Sequence, residues 1–125
     1  MIERMAEFHG IIVDKSLKSQ KVLEQLNVLS KSTAPDEDAW TLYKISVPEE
    51  KVQETVQLIQ KSLSGGAWYA HLYDGTKVIA IFRNRVFEMV NNPVFFRPAV
   101  KYGVSIGIPE EQLNFKPNKF EEEAF

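Results

Sequence analysis

The chain has 125 residues, 44% of them hydrophobic, 11% aromatic and 26% charged. That is the composition and length of one ordinary globular domain, and it excludes a disordered chain, a collagen-like repeat and a coiled coil. Fifteen Lys and Arg against seventeen Asp and Glu leave a formal net charge of −2, and there is no cysteine. Disulfides, thiol catalysis and thiolate metal sites are therefore excluded, and neither nucleic acid nor a membrane is an expected partner.

The first seven residues carry Glu3, Arg4 and Glu7 and no apolar run of signal-peptide type. No apolar stretch approaches the ~18 residues of a membrane span. A cytoplasmic protein is expected. Phe8 to Val13 is a short apolar, β-branched strand. Ser19 then caps a predicted helix to about Lys31, with Val22, Leu26 and Leu29 on one face. Residues 32–38 are polar, contain Pro35, and read as a loop.

Trp40 to Val47 alternates and reads as a strand. Thr41, Tyr43, Ile45 and Val47 point one way; Trp40, Leu42, Lys44 and Ser46 point the other. Ser46-Val47-Pro48-Glu49 fits a capping box for a helix to about Ser64, with Val52, Val56, Ile59 and Leu63 as its buried stripe. Gly65-Gly66 ends it. Ala67–Tyr73 and Thr76–Arg83 are two strands joined at Asp74-Gly75, a type I′ hairpin signal. Pairing extends into Arg85–Met89 and breaks at Asn91-Asn92-Pro93. A helix follows over Arg97–Ile106, in which Gly103 implies a close packing contact. Leu113-Asn114-Phe115 is a candidate last edge strand, and residues 117–125 read as a mobile acidic tail.

These elements predict an α+β single domain over residues 1–125. Its core is a ferredoxin-like βαββαβ unit over residues 39–115, with an N-terminal βα addition. The sheet is mainly antiparallel, with helices on one face.

His9-Gly10-Ile11-Ile12-Val13, Trp68-Tyr69-Ala70-His71, Ile81-Phe82-Arg83-Asn84 and Tyr102-Gly103-Val104-Ser105-Ile106-Gly107-Ile108-Pro109-Glu110-Glu111-Gln112 occur together. In these segments, spread over residues 8–116, the chain resembles a family of small uncharacterised prokaryotic proteins of similar length. The resemblance implies a prokaryotic cytoplasm and no particular chemistry.

Catalytic motifs are weak. Gly103-Val104-Ser105-Ile106-Gly107 has the letters of a nucleophile elbow, but no histidine follows it and its context is a helix end. Gly65-Gly66 closes a helix where a phosphate loop would open one. His9 and His71 lie on different strands without metal-ligand spacing, so no metal and no cofactor is expected. The one unusual surface is the hairpin face of Tyr69, His71 and Tyr73. Arg83, Arg85 and Arg97 offer an anion-binding set, Arg97 at a helix start. These six residues are the candidate ligand-binding residues.

An open aromatic sheet face can pair with a second copy, bind a small molecule or stack bases. The leading expectation is a non-enzymatic module that forms a homodimer through this face and binds a small acidic ligand. One alternative is a small enzyme at a dimer cleft, using His71 with Tyr69 or Tyr73 and an arginine. Another is an RNA-binding sheet, which the net charge and the lack of an RNA-recognition consensus oppose.

Overall fold

The computed structural model describes residues 6–33 and 40–125. Six strands form one sheet: β1 (Glu7–Val13), β2 (Asn27–Thr33), β3 (Thr41–Pro48), β4 (Tyr69–Tyr73), β5 (Lys77–Phe82) and β6 (Val86–Val90). Their order is β2-β3-β1-β4-β5-β6, and every neighbouring pair is antiparallel. The described residues also hold two α-helices, α1 (Val52–Ser62) and α2 (Arg97–Ser105). The α+β class and the antiparallel sheet are as expected.

The finer arrangement departs from a ferredoxin-like unit with an N-terminal addition. The first strand, expected to be an addition outside the core, lies in the middle of the sheet, between β3 and β4. Its sequence explains this. Gly10 lets Leu72 and Ile45 close in from both sides; a Cβ there would stand 2.3 Å from Leu72 Cδ2 and 3.0 Å from the His71 carbonyl oxygen. Phe8 and Ile12 flank Gly10 on the same face and are buried. Leu113–Phe115 forms no strand; Phe115 takes φ 53° and turns its ring into the core.

The helices do not share a face. α1 covers the side bearing Phe8, Ile12, Ile45, Val47, Leu72, Ile79 and Ile81. α2 and the segment after it cover the side bearing Tyr73, Val78, Ala80 and Phe82. Both sides of β4 and β5 are buried, so one layer of helices could not cover them.

Residues 19–31 are not a helix. Ser19 does cap, accepting from Lys21 N, but the turn it opens is a 3-10 segment over Gln20–Gln25. β2 follows at once. Ser32 and Thr33 belong to that strand, and the rest of the expected loop, 34–38, lies outside the described residues. Ser46 makes no capping box: its hydroxyl donates to Glu7 Oε2 at 2.7 Å. The chain leaves α1 at Leu63, which bridges to Leu17, before Gly65-Gly66 is reached. The β4–β5 connection is not type I′, because only Gly75 has a positive φ there. Asp74 Oδ1 shapes it instead, accepting from Thr76 N and Lys77 N.

Gly103 behaves as expected. A Cβ on it would meet Leu113 Cδ2 at 2.7 Å, so the helix must be bare where that side chain crosses.

Candidate functional site

The register places three cross-strand rows on the α2 side of the sheet. Ser46, His9 and Tyr73 form the first row, and Lys44, Ile11 and His71 the second. Leu42 pairs with Val13 in the third, and Tyr69 lies two residues along β4 from His71. Rows two residues apart are about 7 Å apart.

The segment expected to be a solvated tail lies across these rows. His71 is buried and stacks among Tyr69, Tyr73 and Phe115, and Nε2 donates to the Pro117 carbonyl at 2.9 Å. Burial drives its pKa from 6.5 down to about 4, against the smaller opposing effect of the Pro117 bond, so the ring is neutral near pH 7. A carbonyl can only accept, so the proton sits on Nε2. Nδ1 is left as an acceptor with no protein partner among the described residues.

Further along, Glu123 inserts among the first two rows. Its Oε2 accepts from the Tyr73 hydroxyl at 2.5 Å and from His9 Nδ1 at 2.6 Å; its Oε1 accepts from Lys44 Nζ at 3.2 Å. Lys44 Nζ also donates to the Phe125 backbone oxygen. All three side chains are largely covered: His9 is 14% exposed, Lys44 11% and Glu123 12%. Burial pushes the Glu123 carboxyl pKa up, but the bonds from Tyr73, His9 and Lys44 outweigh it and hold the group below its ordinary value. Burial, then the Glu123 bond, raises Tyr73 well above the ordinary phenol range. Phe120 caps the cluster, its ring centroid 4.2 Å from that of His9.

Beside this clasp is a pocket of about 260 Å³ lined mainly by Ile11, Leu42, Trp40, Trp68, Tyr69 and His71. Trp40 and Trp68 meet edge to face at 5.4 Å. Gln112, Asn114 and Lys116 of the crossing segment complete the wall. Tyr69 holds that wall, its hydroxyl donating to the Gln112 carbonyl at 2.5 Å, and burial pushes its pKa up to about 12.

The six residues chosen from the sequence therefore divide. Tyr69, His71 and Tyr73 stand together on β4, under the chain's own C-terminal segment. The arginines are exposed and elsewhere. Arg83 lines a small cleft with Gly65, Asn84 and Tyr102, while Arg85 lies over the Phe87 and Tyr102 rings. Arg97 borders an open groove beside α2 with Lys101, Val104 and Glu110. None of these three arginines lines the pocket of Tyr69 and His71. His9 and His71 do lie on adjacent strands, but His9 pairs with Tyr73, and each ring has a separate partner. Among the described residues no group of three His, Asp or Glu could hold a metal. No helix among them is long and apolar enough to cross a membrane.

Trp40, Lys44 and Glu123 were not singled out from the sequence. Lys44 carried one signal, its place on the same side of an alternating strand as Trp40 and Leu42. Phe120 and Phe125 carried another, since two aromatics are unusual in a solvated tail.

Comparison with known protein families, curated proteins and solved structures finds no match.

Proposed function

We propose that this protein is a small-ligand-binding module whose site is the aromatic pocket over Trp40, Trp68, Tyr69 and His71. The observation that carries this reading is the His71 ring. It is buried, neutral and tied down at Nε2, and it keeps one acceptor nitrogen unpartnered in a ring that lines the pocket. Such a site suits a small flat molecule with an N–H or O–H donor. Pockets of this kind are mostly apolar with a few fixed polar groups, though this one falls below the usual range of about 300–1,000 Å³.

Binding is better supported than catalysis. A base whose conjugate acid has a pKa near 4 is a weak proton acceptor at pH 7. The arginine that an enzymatic reading needs lies outside the pocket. Pairing with a second copy through this face, or stacking RNA bases on it, would require residues 113–125 to leave the sheet first.

Titration with indole tests the reading. The Trp40 and Trp68 side-chain amide signals should shift in a saturable way, and Trp68→Ala should abolish the response. N-methylindole, which lacks the donor, should bind several-fold more weakly, as loss of a hydrogen bond worth about 1 kcal/mol requires. Unmoved tryptophan signals at millimolar indole would refute the pocket.

A further inference from the structure

The Glu123 seat and the pocket are neighbours on one surface. Along β1 the side chains run His9, Ile11, Val13; along β3 they run Ser46, Lys44, Leu42; along β4 they run Tyr73, His71, Tyr69. The clasp occupies the first two rows and the pocket the last two, with Ile11 and His71 in the shared row. One continuous segment covers both. It forms the pocket wall at Gln112–Lys116, bonds His71 through Pro117 O, and ends in the clasp at Glu123.

The donor set at the clasp has the chemistry of a carboxylate receptor. An ammonium, an imidazole N–H and a phenol O–H converge on the two oxygens of one carboxylate, and all three are largely buried. Charge-assisted hydrogen bonds of this sort are the strong ones, and the strands that carry them are held by the sheet whether or not Glu123 is present. If Glu123 swung out together with Phe120, which caps His9, and Phe125, which also holds Lys44, the two sites would join into one groove, aromatic at the Trp40–Trp68 end and cationic at the Lys44 end. Four residues of β3 separate Lys44 from Trp40, so the two ends of the groove are about 13 Å apart along the strand.

From this we infer that the groove takes an aromatic carboxylate, and that Glu123 is an internal stand-in for the ligand's acidic group, which the ligand displaces. The inference rests on the pocket reading above and adds the ligand's chemical class. Arg83, Arg85 and Arg97 have no part in it. The acid is read by Lys44, His9 and Tyr73.

Three probes separate the two ideas: indole, indoleacetate and its neutral amide, indoleacetamide. Each is titrated against the full-length chain and its Glu123→Ala variant, with near-ultraviolet circular dichroism confirming the fold. In the parent chain the acid has to expel Glu123, so it should bind more tightly than the amide, but by a smaller factor than in Glu123→Ala; equal binding of the two in the parent chain would mean that the acid does not displace Glu123. In Glu123→Ala the acid should gain about tenfold or more, as a buried charge-assisted contact implies, while indole and the amide stay unchanged. Adding Lys44→Met to Glu123→Ala should erase the gain and leave indole binding intact. Indole binding in both proteins with no gain for the acid would overturn the inference and leave the pocket standing. Failure of indole to bind either protein would overturn the pocket, and this inference with it. Glu123→Gln provides a second variant, which keeps neutral hydrogen bonds to the cluster and should give a smaller gain.

Discussion

On the α1 side of the sheet, Ile12, Ile45, Leu72 and Ile81 are completely buried beneath Ile59 and Leu63, and apart from Phe8 the lining is aliphatic. On the other side Tyr69, His71, Tyr73, Phe82, Phe115 and Phe120 form a chain of ring contacts, with polar tips bonded to an irregular segment and a pocket left between them. Aliphatic packing tolerates few gaps and gives stability; rings with polar tips, covered by a loop, give shape and hydrogen bonds. The same central strands carry both surfaces, since β1 and β4 alternate Phe8 and Ile12 with His9 and Ile11, and Leu72 with His71 and Tyr73. One face is closed by aliphatic packing; the other carries polar tips, an irregular segment and the pocket.

The sharpest way to break it is in the aliphatic layer. Leu72 is fully buried against Gly10, and Leu72→Ala would leave a cavity that the sheet backbone cannot collapse into. The expected loss is about 4 kcal/mol of unfolding free energy by urea titration. A loss below about 1 kcal/mol would mean that this layer is not where the stability lies.

Acid should act on the other face. The folded pKa of His71 is about 4 against an ordinary 6.5, so between those values the unfolded chain binds a proton that the folded chain refuses. Stability is therefore level above about pH 6.5 and falls as pH drops toward 4. The total is about 3 kcal/mol for this buried group. Glu123 adds to the loss later. Its folded pKa is lowered, so its contribution is present above the ordinary carboxylate value and disappears as pH falls through the lowered one. Urea midpoints measured across pH 7 to 4 should slope, and His71→Phe should flatten the upper part of the curve. A flat profile in the parent chain would mean that His71 is not held neutral.

How much of this was readable in the residues differs between the two faces. The aliphatic layer was legible, because Val52, Ile59 and Leu63 repeat at helical spacing and β3 alternates cleanly. β2 was not. Val22, Leu26 and Leu29 share a helical period, but only Val22 is fully used; Leu29 is 45% exposed. The strand that replaces the helix has its alternation broken by a shift in register between Val28 and Ser30, so neither period was visible. The clasp was hidden for another reason. Glu121-Glu122-Glu123 looks solvated from its own composition, and the donors that hold Glu123 come from positions 9, 44 and 73, which no local pattern connects to it. The central place of β1 was hidden in the same way. Its fit depends on Gly10 meeting Leu72, a contact across 62 positions of chain.

Two glycines give the finest test of the contrast. In Gly10→Ala the new methyl would meet Leu72 Cδ2 at 2.3 Å, Ile45 Cγ1 at 3.2 Å and the His71 carbonyl oxygen at 3.0 Å. The last is backbone in a paired strand and cannot swing aside, so overpacking of about 1–3 kcal/mol is expected. In Gly103→Ala every close atom belongs to the Leu113 side chain, the nearest at 2.7 Å. Leu113 can move its methyl groups at a cost of about 0.5–1.5 kcal/mol, while alanine in mid-helix returns about 1 kcal/mol over glycine. The two nearly cancel, so Gly103→Ala should change stability by less than about 1 kcal/mol. Leu113 precedes Asn114 and Lys116 of the pocket wall, so the same substitution should alter indole affinity even where the urea midpoint barely moves. Equal stability losses at the two glycines would erase the distinction between a face closed by the sheet itself and a face closed by an adjustable segment.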